Sequence, residues 1–136
     1  MAFKQYAYTT TPTNLEGIDW LTSNVYAQLL DITHSYVVSH TTRNNIVSAA
    51  VASPIQLTSK TKTVTGLNTF LSCDQVIFPN NPSAKYVAFL VGSANSVNLA
   101  DKLLGIVDLN DGVNAEVTVD FGIGFNGGMF TLTRGA

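Results

Sequence analysis

The stretch Ala84-Lys85-Tyr86-Val87-Ala88-Phe89-Leu90-Val91 decides the fold class of this chain. It is strand-sized and almost unbroken in its apolarity, which is the pattern of a central strand buried on both faces. Ahead of it, Phe70 to Phe78 carries Val76 and Ile77 and ends in the loop Pro79-Asn80-Asn81-Pro82-Ser83. Earlier still, Ile55-Gln56-Leu57-Thr58 and Lys60-Thr61-Lys62-Thr63-Val64-Thr65 read as two strands, the second broken by Gly66. Lys60 and Lys62 share one face, as suits an exposed face or an edge guarded by charge. Val25-Tyr26-Ala27-Gln28-Leu29-Leu30 alternates as a strand with one face fully buried.

The pattern continues downstream. Leu103 to Leu109 follows the small-residue loop Gly92 to Asn98. Asn110-Asp111-Gly112 offers the positive φ angles of a tight hairpin into Glu116 to Phe121, where Val117, Val119 and Phe121 share a face. Met129 to Thr133 forms a last strand after a glycine-rich turn. The expected fold is all-β, an antiparallel sandwich or barrel of about six to eight short strands. One stretch departs: Thr41-Thr42-Arg43-Asn44-Asn45 offers a capping residue, and behind it Ile46, Ala49 and Ala50 fall at helical spacing, so one short helix is expected near 44–52, stopped by Ser53-Pro54.

Residues 1–14 read as an extended arm or edge strand, and 15–136 as a single β-rich domain. Phe3, Tyr6 and Tyr8 give the arm apolar anchors, and Thr9 to Pro12 keep it extended. About 13 extended residues reach roughly 43 Å. The arm therefore either pairs within its own domain or crosses onto a neighbour, with Phe3, Tyr6 and Tyr8 as candidate interface residues.

Charge is scarce. Charged residues make up 12% of the 136, seven basic against nine acidic, while Thr, Ser and Asn number 16, 10 and 12. A net charge of −2 weighs against nucleic acid or an anionic membrane as partner. The 46% apolar content supports a sizeable single core and argues against disorder. The single Cys73 excludes an internal disulfide or a cysteine-cluster metal site, and reads as a buried structural thiol. No apolar run approaches the roughly 18 residues of a membrane span, and the start lacks a signal-peptide core.

Motifs that suggest chemistry have plainer readings. Gly122-Ile123-Gly124-Phe125-Asn126-Gly127 matches the dinucleotide fingerprint, but that motif works by opening a helix, and a strand follows here. His34 and His40 lie about 20 Å apart on an extended strand, so they could share a metal only if the chain turned between them. Asp108, Asn110 and Asp111 are explained by turn chemistry. No catalytic residue, cofactor or metal site is expected, and the chain is read as non-enzymatic.

Ordered stretches carry a family resemblance. Met1-Ala2-Phe3-Lys4, Gly17-Ile18-Asp19-Trp20 leading into Val25 to Leu30, Val76-Ile77-Phe78-Pro79, Ala84 to Leu90, Leu103 to Leu109 and Gly127 to Leu132 together cover about half the chain. In that order they resemble a family of small virion structural proteins of tailed bacteriophages. The middle, Ile46 to Pro54, departs from the tyrosine- and glycine-rich stretch of that family. The resemblance implies a virion component made in the host cytoplasm, in the first place a capsid decoration (cement) protein on the capsid surface. Its partners would be the major capsid protein or other virion proteins, and further copies of itself, a trimer being favoured by family analogy. The alternatives are a tail, baseplate or head-fibre component and, from another class, a carbohydrate-binding β-sandwich using Trp20 and the tyrosines as stacking platforms.

Overall fold

Three neighbouring runs, each apolar at nearly every position, have no polar face to give to water, so they pair side by side and are covered above and below. These are β2 (Asn24–Leu30), β7 (Tyr86–Gly92) and β8 (Lys102–Asp108). In the computed structural model, which describes residues 3–5, 20–37, 39–66, 68–110, 112–119 and 130–133, they form the middle of a five-stranded antiparallel sheet. The short β1 (Phe3–Gln5) flanks β8, and β3 (Ala50–Gln56) flanks β2, giving the order β1-β8-β7-β2-β3. A second sheet, β10-β5-β4, is built from β4 (Thr61–Thr65), β5 (Asn68–Ser72) and β10 (Phe130–Thr133). The two-residue strands β6 (Ser83–Ala84) and β9 (Val117–Thr118) pair separately. The fold is all-β and antiparallel, with ten strands among the described residues.

Each face of the large sheet has its own core. Val25, Ala27, Leu29, Val87, Phe89, Leu104 and Val107 pack with Trp20, Leu57, Leu71, Val76 and Phe78 toward the small sheet. Tyr26, Leu30, Ala88, Leu90, Leu103 and Ile106 pack with Ile46 and Ala49 from the segment that crosses the opposite face. Full burial of a side chain such as Phe89 contributes about 1.5–3 kcal/mol. Trp20 is 3% exposed and its Nε1 donates to Thr61 O at 3.0 Å, so it joins the two sheets as core and offers no stacking face.

Two bulges adjust the large sheet. Between Phe89↔Gly105 and Leu90↔Leu103 the extra residue is Leu104, and alternation resets there: Leu103 and Ile106 face one core, Leu104 and Val107 the other. Between Ala27↔Ile55 and Leu29↔Val51, the single Gln28 of β2 faces Ala52, Ser53 and Pro54 of β3. Ala52 sits at φ 63°. Gln28 is fully buried, and its Nε2 donates to Val51 O at 3.3 Å and Ala52 O at 3.1 Å, satisfying carbonyls that the broken ladder leaves over.

Three expectations are corrected. The helix near 44–52 is instead two single 3-10 turns, Arg43–Asn45 and Val47–Ala49, and strand β3 begins at Ala50. The spacing that suggested a helix is the i, i+3 spacing of Ile46 and Ala49 in such a turn, and the β-branched residues take the extended path beyond it. Among the described residues no β8–β9 hairpin follows Asn110, because β9 pairs with β6 rather than β8. Phe70 to Phe78 is a strand only as far as Ser72. At the other end, Phe3↔Val107, Lys4↔Ile106 and Gln5↔Gly105 make β1 an edge strand of its own chain's sheet. Tyr6, Tyr8 and the fingerprint glycines Gly122 to Gly127 lie outside the described residues. No helix among the described residues is long and apolar enough to cross a membrane.

Candidate functional site

One end of the large sheet holds His34 and Lys85, two of the four buried polar side chains among the described residues. The register sets Leu30 opposite Tyr86 and Tyr86 opposite Asp108, so β2, β7 and β8 reach this end together. Lys85 N donates to Leu30 O at 2.9 Å and Leu109 N to Lys85 O at 2.8 Å, which closes the rim. Above it lies a cavity of about 460 Å³ lined by His34, Tyr36, Tyr86, Ile106 and Asp108 among others.

The wall of that cavity is the loop after β2, and local hydrogen bonds set its path. Asp31 N donates to Ala49 O at 2.8 Å, and Asp31 Oδ1 accepts from Thr33 N at 2.9 Å, an Asx-type turn. A second turn follows where His40 N donates to Val37 O at 3.0 Å. The loop is then pinned across the sheet, with Leu103 N donating to Thr41 O and Arg43 N to Asp101 O. Because the chain turns twice, the His34 and His40 rings are 6.0 Å apart between centroids, not at the two ends of an extended strand. Tyr86 stands edge-on to His34 at 5.8 Å.

His34 is 7% exposed. Its burial, and secondarily the neighbouring His40, lower its pKa against a weaker opposing pull from Asp31, so the ring is neutral at pH 7. His34 Nε2 and His40 Nδ1 are both shielded from solvent and have no hydrogen-bond partner among the described residues.

Next to the cavity-lining Tyr86 in sequence, Lys85 is buried at 3% exposure. Its Nζ donates to Asp108 Oδ1 and, at 3.0 Å, to Asn110 O, and lies 5.2 Å from the Tyr86 ring centroid. Burial alone would raise the Asp108 pKa, but the hydrogen bonds from Lys85 and from Asn110 N–H outweigh it and hold the carboxyl below its ordinary value. Asp108 therefore stands ionised at neutral pH. An ammonium buried in an apolar run needs such a partner, and Lys85 inside Ala84 to Val91 was the sequence signal for one. Reading Asp108 as a turn residue missed it, although the turn bond from Asn110 N at 2.9 Å is also present.

Of the sequence candidates, Phe3 lies in β1 at the sheet edge, away from the register position of Asp108 by one residue pair at Val107. Cys73 is half-buried, and burial pushes its thiol up to about 11. Comparison of the chain with family models, curated proteins and solved structures returns no significant match.

Proposed function

We propose that the protein is a non-enzymatic structural component of a bacteriophage virion, in the first place a decoration protein bound across neighbouring major-capsid subunits and packed against copies of itself. The ordered series of stretches from Met1 to Leu132 that resemble the virion family is what supports the virion reading. An adhesive role is supported by β4, which forms one edge of the small sheet and exposes Thr61, Lys62, Thr63 and Thr65 on both of its faces. Gly66, at φ 60°, turns this strand tightly into β5. A hydroxyl-rich strand edge of this kind suits docking through backbone hydrogen bonds without strong fields. Seven basic and nine acidic residues also leave little repulsion between copies.

Cryo-electron microscopy of purified particles that carry the protein tests the reading. The expected density is a symmetric cluster of copies on the capsid surface that persists after a wash in about 1 M salt, where the Debye length is near 3 Å. Density on the tail or baseplate instead selects that location and overturns the decoration role. An isolated copy touching no other copy, or release by salt alone, overturns the packing argument.

A further inference from the structure

Two buried imidazole nitrogens without partners among the described residues, on rings whose centroids lie 6.0 Å apart at a 47° tilt, call for an occupant. We propose that His34 and His40 together bind one divalent ion of the zinc, nickel and copper class, which clasps the loop between β2 and Thr41. The inference is independent of the virion reading.

The distance carries it. An imidazole nitrogen sits about 2.0–2.1 Å from a zinc ion, and the ring centroid about 1.2 Å behind the nitrogen. Two imidazoles on one ion therefore place their centroids about 5.3 Å apart at a tetrahedral angle and about 6.5 Å apart in a straight line. The observed separation of 6.0 Å falls between those limits.

The satisfaction of polar atoms points the same way. A buried nitrogen without a partner costs about 1–3 kcal/mol. Here two occur within one ring pair, His34 Nε2 and His40 Nδ1. A neutral imidazole offers a lone pair, and burial keeps His34 in that form. Other pairings do not consume these nitrogens: the contact of His34 with Tyr86 is edge-on ring packing, and Asp31 Oδ1 already accepts from Thr33.

The donor set also selects the class of ion. No cluster of three or more His, Cys, Asp or Glu suited to a metal occurs among the described residues, so water completes the coordination. Two imidazoles suit borderline ions and not magnesium or calcium, which require oxygen ligands.

The probe is zinc chloride added to the full chain, with magnesium chloride as control. Nitrogen-15 spectra of the wild-type imidazoles should show both histidine rings shifting together on zinc and neither on magnesium. Calorimetry should give one zinc per chain, lost in both His34→Gln and His40→Gln. Wild-type histidine resonances that ignore zinc overturn the proposal, and this reading does not depend on either variant folding. Binding that persists at wild-type strength in folded His34→Gln or His40→Gln overturns it equally.

Discussion

Replacing Lys85 by Met keeps most of the buried stem and removes only the ammonium. Asp108 then loses its cation, and Asn110 O loses a donor at 3.0 Å. Breaking a fully buried ion pair from one side costs about 3–5 kcal/mol. Here the two side chains are unequal, Lys85 at 4% exposure and Asp108 at 21%, so water takes over part of the stranded carboxylate's solvation. The expected loss is about 2–3 kcal/mol. With an unfolding entropy of about 2.1 cal/mol/K per residue over 136 residues, Tm falls by roughly 7–10 °C. The sign with pH follows from Asp108, whose folded pKa is depressed. Its stabilising share is full above the unfolded carboxyl value and is lost as pH falls through the lower folded value. Wild type therefore loses more stability on acidification than Lys85→Met, and the gap between them narrows from neutral pH toward about pH 3. Urea unfolding followed by circular dichroism at several pH values measures both quantities. A loss under about 1 kcal/mol, or a gap that stays constant across that range, refutes the reasoning.

Gly92→Ala should cost about 1–3 kcal/mol, because the added methyl would meet Ser96 O at 2.8 Å and the Tyr26 ring at 2.9 Å; thermal unfolding measures it, and an unchanged Tm would contradict the close approach. Gln28→Leu keeps an apolar fill but strands the Val51 and Ala52 carbonyls, and should lower stability by about 2 kcal/mol in urea titration. An equally stable variant would show that the bulge has no need of the amide. Burial holds the Cys73 thiol up to about 11, so near pH 8 it should react with a disulfide reagent roughly a hundredfold more slowly in the native protein than in urea. Equal rates in the two states would exclude that shift.

The sequence shows strands well where burial is one-sided or complete. Ala84 to Val91 and Leu103 to Leu109 become β7 and β8 because an unbroken apolar run can be stable only with cover on both sides. The loop between β2 and Thr41 shows the opposite case. Nothing in the pattern of Asp31 to His40 marks two turns as distinct from a strand, since Asp31 and Thr33 act through hydrogen bonds that periodicity does not register. The juxtaposition of His34 and His40, and with it the candidate site, depends on those turns. The partner of β9 was hidden for a related reason: Asp-Gly marks a reversal, but which strand is met after it is decided by distant packing, here by Ser83 and Ala84. Leu104 conceals a third failure. Its bulge resets which residues face which core, so simple alternation along Leu103 to Val107 assigns half of them to the wrong side.

The irregularity in β3 bears on how the molecule behaves among its own copies. Any protein at high local concentration meets itself first, and a seven-residue strand on the rim of a sheet is the template on which fibrils grow. β3 lies on such a rim, yet Ala52 turns left-handed, two residues are looped out against Gln28, and Pro54 has no N–H to donate. A second chain laid along it would find donors and acceptors out of step after the first few residues. Gln28, reaching from the neighbouring strand to hold the looped carbonyls inward, keeps that defect in place. The same amide that steadies the interior thus guards the molecule's solubility, by making one side of the large sheet unreadable to another strand.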